Sequence, residues 1–159
     1  MRKLRYIGLL ALAGASALAV FCKRKHKLHE EGLRKYGDKF YEYFQLLNRW
    51  IIARNEKKQI ADYLREQNIN KIAIYGMGEL ANRLYEELAG GDIQVLYGID
   101  RDVCCTNSSI ADIYYPDDVL PEVDAVVITP FLSAEGIAKD LSSRCPYRMI
   151  PLDNIIYSL

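Results

Sequence analysis

Three small residues carry the chemistry of this sequence. Gly76, Gly78 and Ala81 follow the short apolar run Ile72–Tyr75 in the spacing G-x-G-x-x-A. That spacing ends a strand and opens a helix against a phosphate-bearing ligand. Gly76 permits the tight turn, Gly78 lets a ligand approach the backbone, and Ala81 lets the helix pack close to the strand. The N–H groups of that helix are then free to face an anion. Asp100 stands 24 positions after Gly76, at the end of the next apolar run, where a carboxylate can bond the hydroxyls of a ribose. Met77, between the glycines, Arg101, beside the carboxylate, and Thr129, after a later apolar run, fall at strand ends on the same side. The expected binding set is therefore Gly76, Met77, Gly78, Ala81, Asp100, Arg101 and Thr129. A nucleotide-type molecule such as NAD is the expected ligand.

Catalytic chemistry is harder to assemble. Both histidines, His26 and His29, lie far from the glycine turn, and no tyrosine is followed four residues later by lysine. No Ser–His or Cys–His pairing falls near the strand ends. Asp100 and Asp102 can act as acid and base in principle, but two carboxylates in a loop are ordinarily just solvated. The four cysteines, Cys22, Cys104, Cys105 and Cys145, lack C-x-x-C spacing, so neither a zinc site nor a disulfide framework is expected. The reading is a binding module with no metal and no reaction of its own.

The elements that must position these residues form an α/β pattern. Strands are expected at 72–75, 93–99, 110–115, 125–129 and 147–150. A helix follows the glycine turn, with Leu80, Ala81, Leu84, Tyr85 and Leu88 inward and Arg83, Glu86 and Glu87 facing away. Gly90-Gly91 stops it. Pro116–Leu120 reads as one helical turn, and Ser133 as the cap of a helix running to about Leu141. Short strand–helix–strand crossovers imply parallel pairing. The expected fold is thus a small parallel sheet of about five strands, order 3-2-1-4-5, with helices on both faces.

Ahead of it lie two further segments. Tyr6–Cys22 is an uncharged, largely apolar run of 17 residues, a helix of about 25 Å, short for a bilayer core of about 30 Å but flanked by Arg5 and Lys23, which can snorkel. The basic run Lys23–Lys27 favours the cytoplasmic side. A membrane anchor with the main domain in the cytoplasm is the expectation, and a cleaved signal peptide with export the alternative. Between 30 and 54, Leu33, Tyr36, Phe40, Phe44, Leu47 and Ile51 recur at steps of three and four, one face of a helix. That helix either packs on its own domain or pairs with another copy or a partner. The divisions are 1–28 anchor or signal, 29–68 helical linker, with a second short helix at 59–67, and 69–159 the α/β domain.

Charge separates the two parts. Residues 1–68 carry 15 Lys/Arg and 7 Asp/Glu, a balance of +8, and residues 69–159 carry 6 and 14, a balance of −8. A domain at −8 is a poor ligand for nucleic acid. The expected contacts are membrane lipid through the N-terminal segment and a small nucleotide-type molecule.

The quoted stretches also carry a resemblance. Ile-Tyr-Gly-Met-Gly-Glu-Leu-Ala at 74–81, Tyr-Gly-Ile-Asp-Arg-Asp at 97–102 and Asp-Ala-Val-Val-Ile-Thr-Pro at 124–130 resemble the Rossmann-like domain of bacterial polysaccharide-biosynthesis proteins. Such domains precede the β-helix of nucleotide-sugar acyltransferases, where they hold the nucleotide sugar, and the catalytic part of membrane sugar dehydratases. The resemblance spans about residues 69–155. It implies Gly76, Gly78 and Asp100 as nucleotide contacts and an envelope-biosynthesis partner. No hexapeptide repeat and no catalytic domain follows here, so it implies binding rather than catalysis.

Overall fold

The computed structural model describes the backbone of residues 2–102, 110 and 112–159, and the side chains of these from residue 23 onward. The chain divides into two compact units, Met1–Phe44 and Gln45–Leu159. The long helix α1, Arg2–Asn55, supplies all of the first and begins the second. The apolar run 6–22 lies outside the residues whose side chains are described. Among the described residues, no helix is long and apolar enough to cross a membrane.

The second unit holds five parallel strands in the order β3-β2-β1-β4-β5. These are β1 Lys71–Tyr75, β2 Gln94–Ile99, β3 Ile113–Tyr114, β4 Ala125–Ile128 and β5 Arg148–Pro151. β1 is central, and Ile72 to Tyr75 pair with Ala125 to Ile128 of β4 on one side while β2 lies on the other. The strands buried deepest, β1 and β4, are continuous apolar runs, as a sheet covered on both faces requires. Helix α3, Glu79–Leu88, crosses from β1 to β2, and α4, Ala134–Ser142, from β4 to β5. These crossovers leave the sheet centre in opposite directions, and right-handed connections then put α3 and α4 on opposite faces. Ala134, Ile137 and Leu141 of α4 pack with Ala73, Tyr75, Val126 and Ile128, and the alternation of a strand turns Ile72 and Ile74 the other way. Tyr97 is buried in the α4 layer, and its hydroxyl donates to Pro121 O at 2.7 Å.

The compact unit starts inside the segment read from sequence as a linker. Leu46, Trp50 and Ala53 of α1 are buried, as are Ile60 and Leu64 of α2, Ile60–Glu66. Trp50 therefore belongs to the core, whereas Leu47 and Ile51, on the stripe that either packs on its own domain or pairs elsewhere, are exposed. Glu87 also departs from the sequence reading, because it does not face away. Its side chain, 6% exposed, accepts the Trp50 indole N–H at 2.7 Å and the Ile60 N–H at 2.9 Å, with Arg54 Nε 3.7 Å away. Pro116–Leu120 is a turn rather than helical. The Asp118 carboxylate takes the Tyr115 N–H at 2.7 Å, and such local bonds compete with helix. The final short helix, α5, is Leu152–Ser158.

Candidate functional site

The glycine turn sits where β1 hands over to α3. Gly76 adopts φ +85°, and a Cβ built there would lie 2.5 Å from Pro130 Cγ. Both facts demand glycine. Its N–H donates to Ile99 O at 2.8 Å, which binds the turn to the end of β2. Gly78 is the N-cap of α3 with φ −94°, and a Cβ there would meet nothing within 4 Å. The fold needs glycine at 76 and leaves open space at 78. Ala81 is fully buried in the seam between α3 and the sheet.

Two side chains hold this turn from below. The Thr129 hydroxyl lies 2.6 Å from Gly76 O and 3.1 Å from Tyr75 O, sharing its hydrogen between them. Thr129 is buried, and its polar group supports the turn from within. The Asp100 carboxylate accepts the Met77 N–H on Oδ2 at 2.6 Å and the Asp102 N–H on Oδ1 at 2.9 Å. Asp100 thus fastens the tip of β2 to the glycine turn. A carboxylate has about four acceptor positions, so hydrogen-bonding capacity remains for a ligand hydroxyl. The Met77 side chain is buried and fills the space over Gly98, where a Cβ would fall 2.5 Å from Met77 Sδ.

A cleft of about 390 Å³ opens at the carboxyl ends of β1, β2 and β4, lined by Tyr75, Gly76, Asp100, Arg101, Pro130, Ser133, Gly136 and Ile137. Of the seven residues expected from sequence, Gly76, Asp100 and Arg101 line it. Met77, Gly78 and Ala81 form the adjoining turn and the start of α3, and Thr129 lies beneath. Sequence reading missed the wall made by Ser133, Gly136 and Ile137, the first turn of α4. The available signal was the same as at Gly76: a strand end, a proline, and then a helix start with a small residue. The Ser133 hydroxyl makes no capping bond, and a Cβ at Gly136 would meet nothing within 4 Å.

Chemically the cleft is graded. Tyr75, Pro130 and Ile137 offer apolar surface. Asp100 offers acceptors and Arg101 a cation. The amino end of α4 brings its dipole to one wall, where the Ala134 N–H is already given to Phe131 O and Glu135 stands in the first turn. Among the described residues, no group of His, Cys, Asp and Glu is arranged to hold a metal ion. The adjacent Cys104 and Cys105 lie outside the described residues. A larger hollow, about 460 Å³ between α2 and Ser158–Leu159, is rimmed by charges engaged with neighbours: Lys58 with Glu56, and Arg65 with Asp62 and Asp92. It sits away from the strand ends and has less to offer a ligand.

No protein-family model matches the chain, and no curated protein or solved structure is detectably similar to it.

Proposed function

We propose that this chain is a binding module for a nucleotide-type small molecule, NAD or a nucleotide sugar, and that it performs no reaction alone. The observation that carries this reading is the position of the cleft. It lies beyond the carboxyl ends of the strands, beside the point where the chain leaves β1 in one direction and β4 in the other, which is where open parallel sheets take ligands. Asp100 is held there by two N–H groups, ready to accept from a ribose hydroxyl, with Arg101 next to it for phosphate. Asp100 already occupies the Met77 N–H, so the phosphate of this ligand sits toward Arg101 and the first turn of α4.

In this reading residues 6–22 anchor the chain in the membrane and the module samples cytoplasmic metabolites, in keeping with the resemblance to polysaccharide-biosynthesis proteins. The test is a thermal-shift panel on the full chain with NAD, NADP, UDP-sugars and coenzyme A, followed by calorimetry. A true ligand at 100 times its Kd adds about 2.7 kcal/mol of stability. Arg101→Glu, at an exposed position, is expected to weaken that ligand about tenfold or more without altering the apo melting temperature, because it reverses the charge facing phosphate. A panel with no shift, or a ligand indifferent to Arg101→Glu, overturns the cleft assignment.

A further inference from the structure

The first unit, Met1–Phe44, raises a separate question. Its described part, residues 23–44, is one helix with no buried residue. Leu33, Tyr36, Phe40 and Phe44 nevertheless recur at steps of three and four, and all are exposed, Tyr36 at 67% and Phe40 at 73%. With Tyr41 beside them, and at about 200 Å² for a whole aromatic side chain, this face shows roughly 600 Å² of apolar surface. A monomer rarely leaves a patch that large uncovered.

We infer that this face pairs, helix on helix, with the same face of a second copy of the chain. The inference is independent of the cleft. Area is the first argument. A stable complex buries roughly 600–1,000 Å² from each partner, so two such stripes supply what a dimer needs. Gly37 is the second. It lies on the same face, four residues after Leu33 and three before Phe40, and a Cβ there would meet nothing within 4 Å. A helix interior gains nothing from glycine by itself. Between Leu33 and Phe40 it leaves a gap that an aromatic ring of a facing helix fills, bringing the two backbones close. Charge is the third. Residues 28–44 hold three Lys/Arg and four Asp/Glu, a balance of −1. The basic residues Lys23, Arg24, Lys25 and Lys27 precede this stretch in the same helix and lie outside the stripe. A near-neutral stripe meets little repulsion from its own copy.

Analytical ultracentrifugation of the full chain in mild detergent decides it. The wild type is expected to sediment as a concentration-dependent dimer. Phe40→Glu/Phe44→Glu is expected to weaken association about tenfold or more, since carboxylates would have to be buried at the seam. Lys35→Glu, off the stripe, leaves association unchanged. Gly37→Leu strengthens the isolated helix but fills the gap, so association is expected to fall while helicity by circular dichroism does not. That separates loss of interface from loss of fold. A monomer at every concentration overturns the inference in favour of a different partner. A dimer that survives both Phe40→Glu/Phe44→Glu and Gly37→Leu overturns it by placing the interface elsewhere, and a sedimentation profile insensitive to every variant does the same.

Discussion

The two ends of the sheet are closed by the same device to different effect. At the amino end, Oδ2 of Asp124 accepts the N–H groups of Asn70 and Lys71, each at 2.8 Å, and so ties the start of β4 to the start of β1. At the carboxyl end, Asp100 accepts the N–H groups of Met77 and Asp102 and ties the tip of β2 to the glycine turn. Each is one carboxylate with two main-chain donors. Asp100 borders the cleft at the carboxyl ends of the strands. In a parallel sheet the carboxyl ends splay into loops that helices lead away from, whereas the amino ends receive chain from those helices. Position on the sheet, rather than residue type, separates a fastener from a fastener that can also take a ligand.

The largest expected effect belongs to the turn that Asp100 fastens. Gly76→Ala meets both the positive φ and Pro130, and is expected to cost about 2–4 kcal/mol in urea unfolding. A loss of less than about 1 kcal/mol would mean that the turn relaxes freely and the cleft is not preformed. Asp100→Ala comes next, with about 1–3 kcal/mol from two charge-assisted bonds and a parallel loss of ligand affinity. Asp124→Ala should lower stability less, because the group is exposed, and should leave affinity untouched. If both variants changed affinity equally, the contrast between the ends would fail.

Acid sharpens the same contrast. The N–H groups of Asn70 and Lys71 hold the Asp124 carboxyl below its ordinary range. A depressed folded-state value means that the stabilisation is complete above the unfolded value of about 4, and is lost as pH falls through the lower folded value. The stability gap between wild type and Asp124→Asn should therefore close as unfolding is repeated from pH 6 down through the acid range. A gap that stays constant would remove the clamp. The smallest effect on stability is expected at Gly78→Ala, less than about 1 kcal/mol, since φ is negative and the space is open. Calorimetry should show ligand affinity little changed as well, because Gly78 is not among the residues lining the cleft.

The sheet is readable because β1, β2 and β4 are short apolar runs separated by helical periods, and the order 3-2-1-4-5 is that of half a doubly wound sheet. Gly76 and Asp100 were readable because their types and spacing carry their own mechanism. What escaped was tertiary. Periodicity found the stripe Leu33–Ile51, but α1 has another face, and it is Leu46, Trp50 and Ala53 that enter the core. A helical wheel ranks faces by hydrophobicity and is silent on which face has a neighbour. Glu87 looked like a solvated charge because its partners lie 27 and 37 residues away. Ser133, Gly136 and Ile137 were within reach of the same reading, since the expected order puts β4 beside β1 and a helix starts just past its end.

Glu87 has one more consequence, for fragments of this chain. A piece cut at residue 69, where the α/β pattern begins, would leave its carboxylate without the indole of Trp50 and the N–H of Ile60, and would strip α2 from α3 and α5. Such a fragment should come out of cells insoluble. A protease given the whole protein should instead trim toward Gln45 and stop there, and the resistant product is the piece to crystallise.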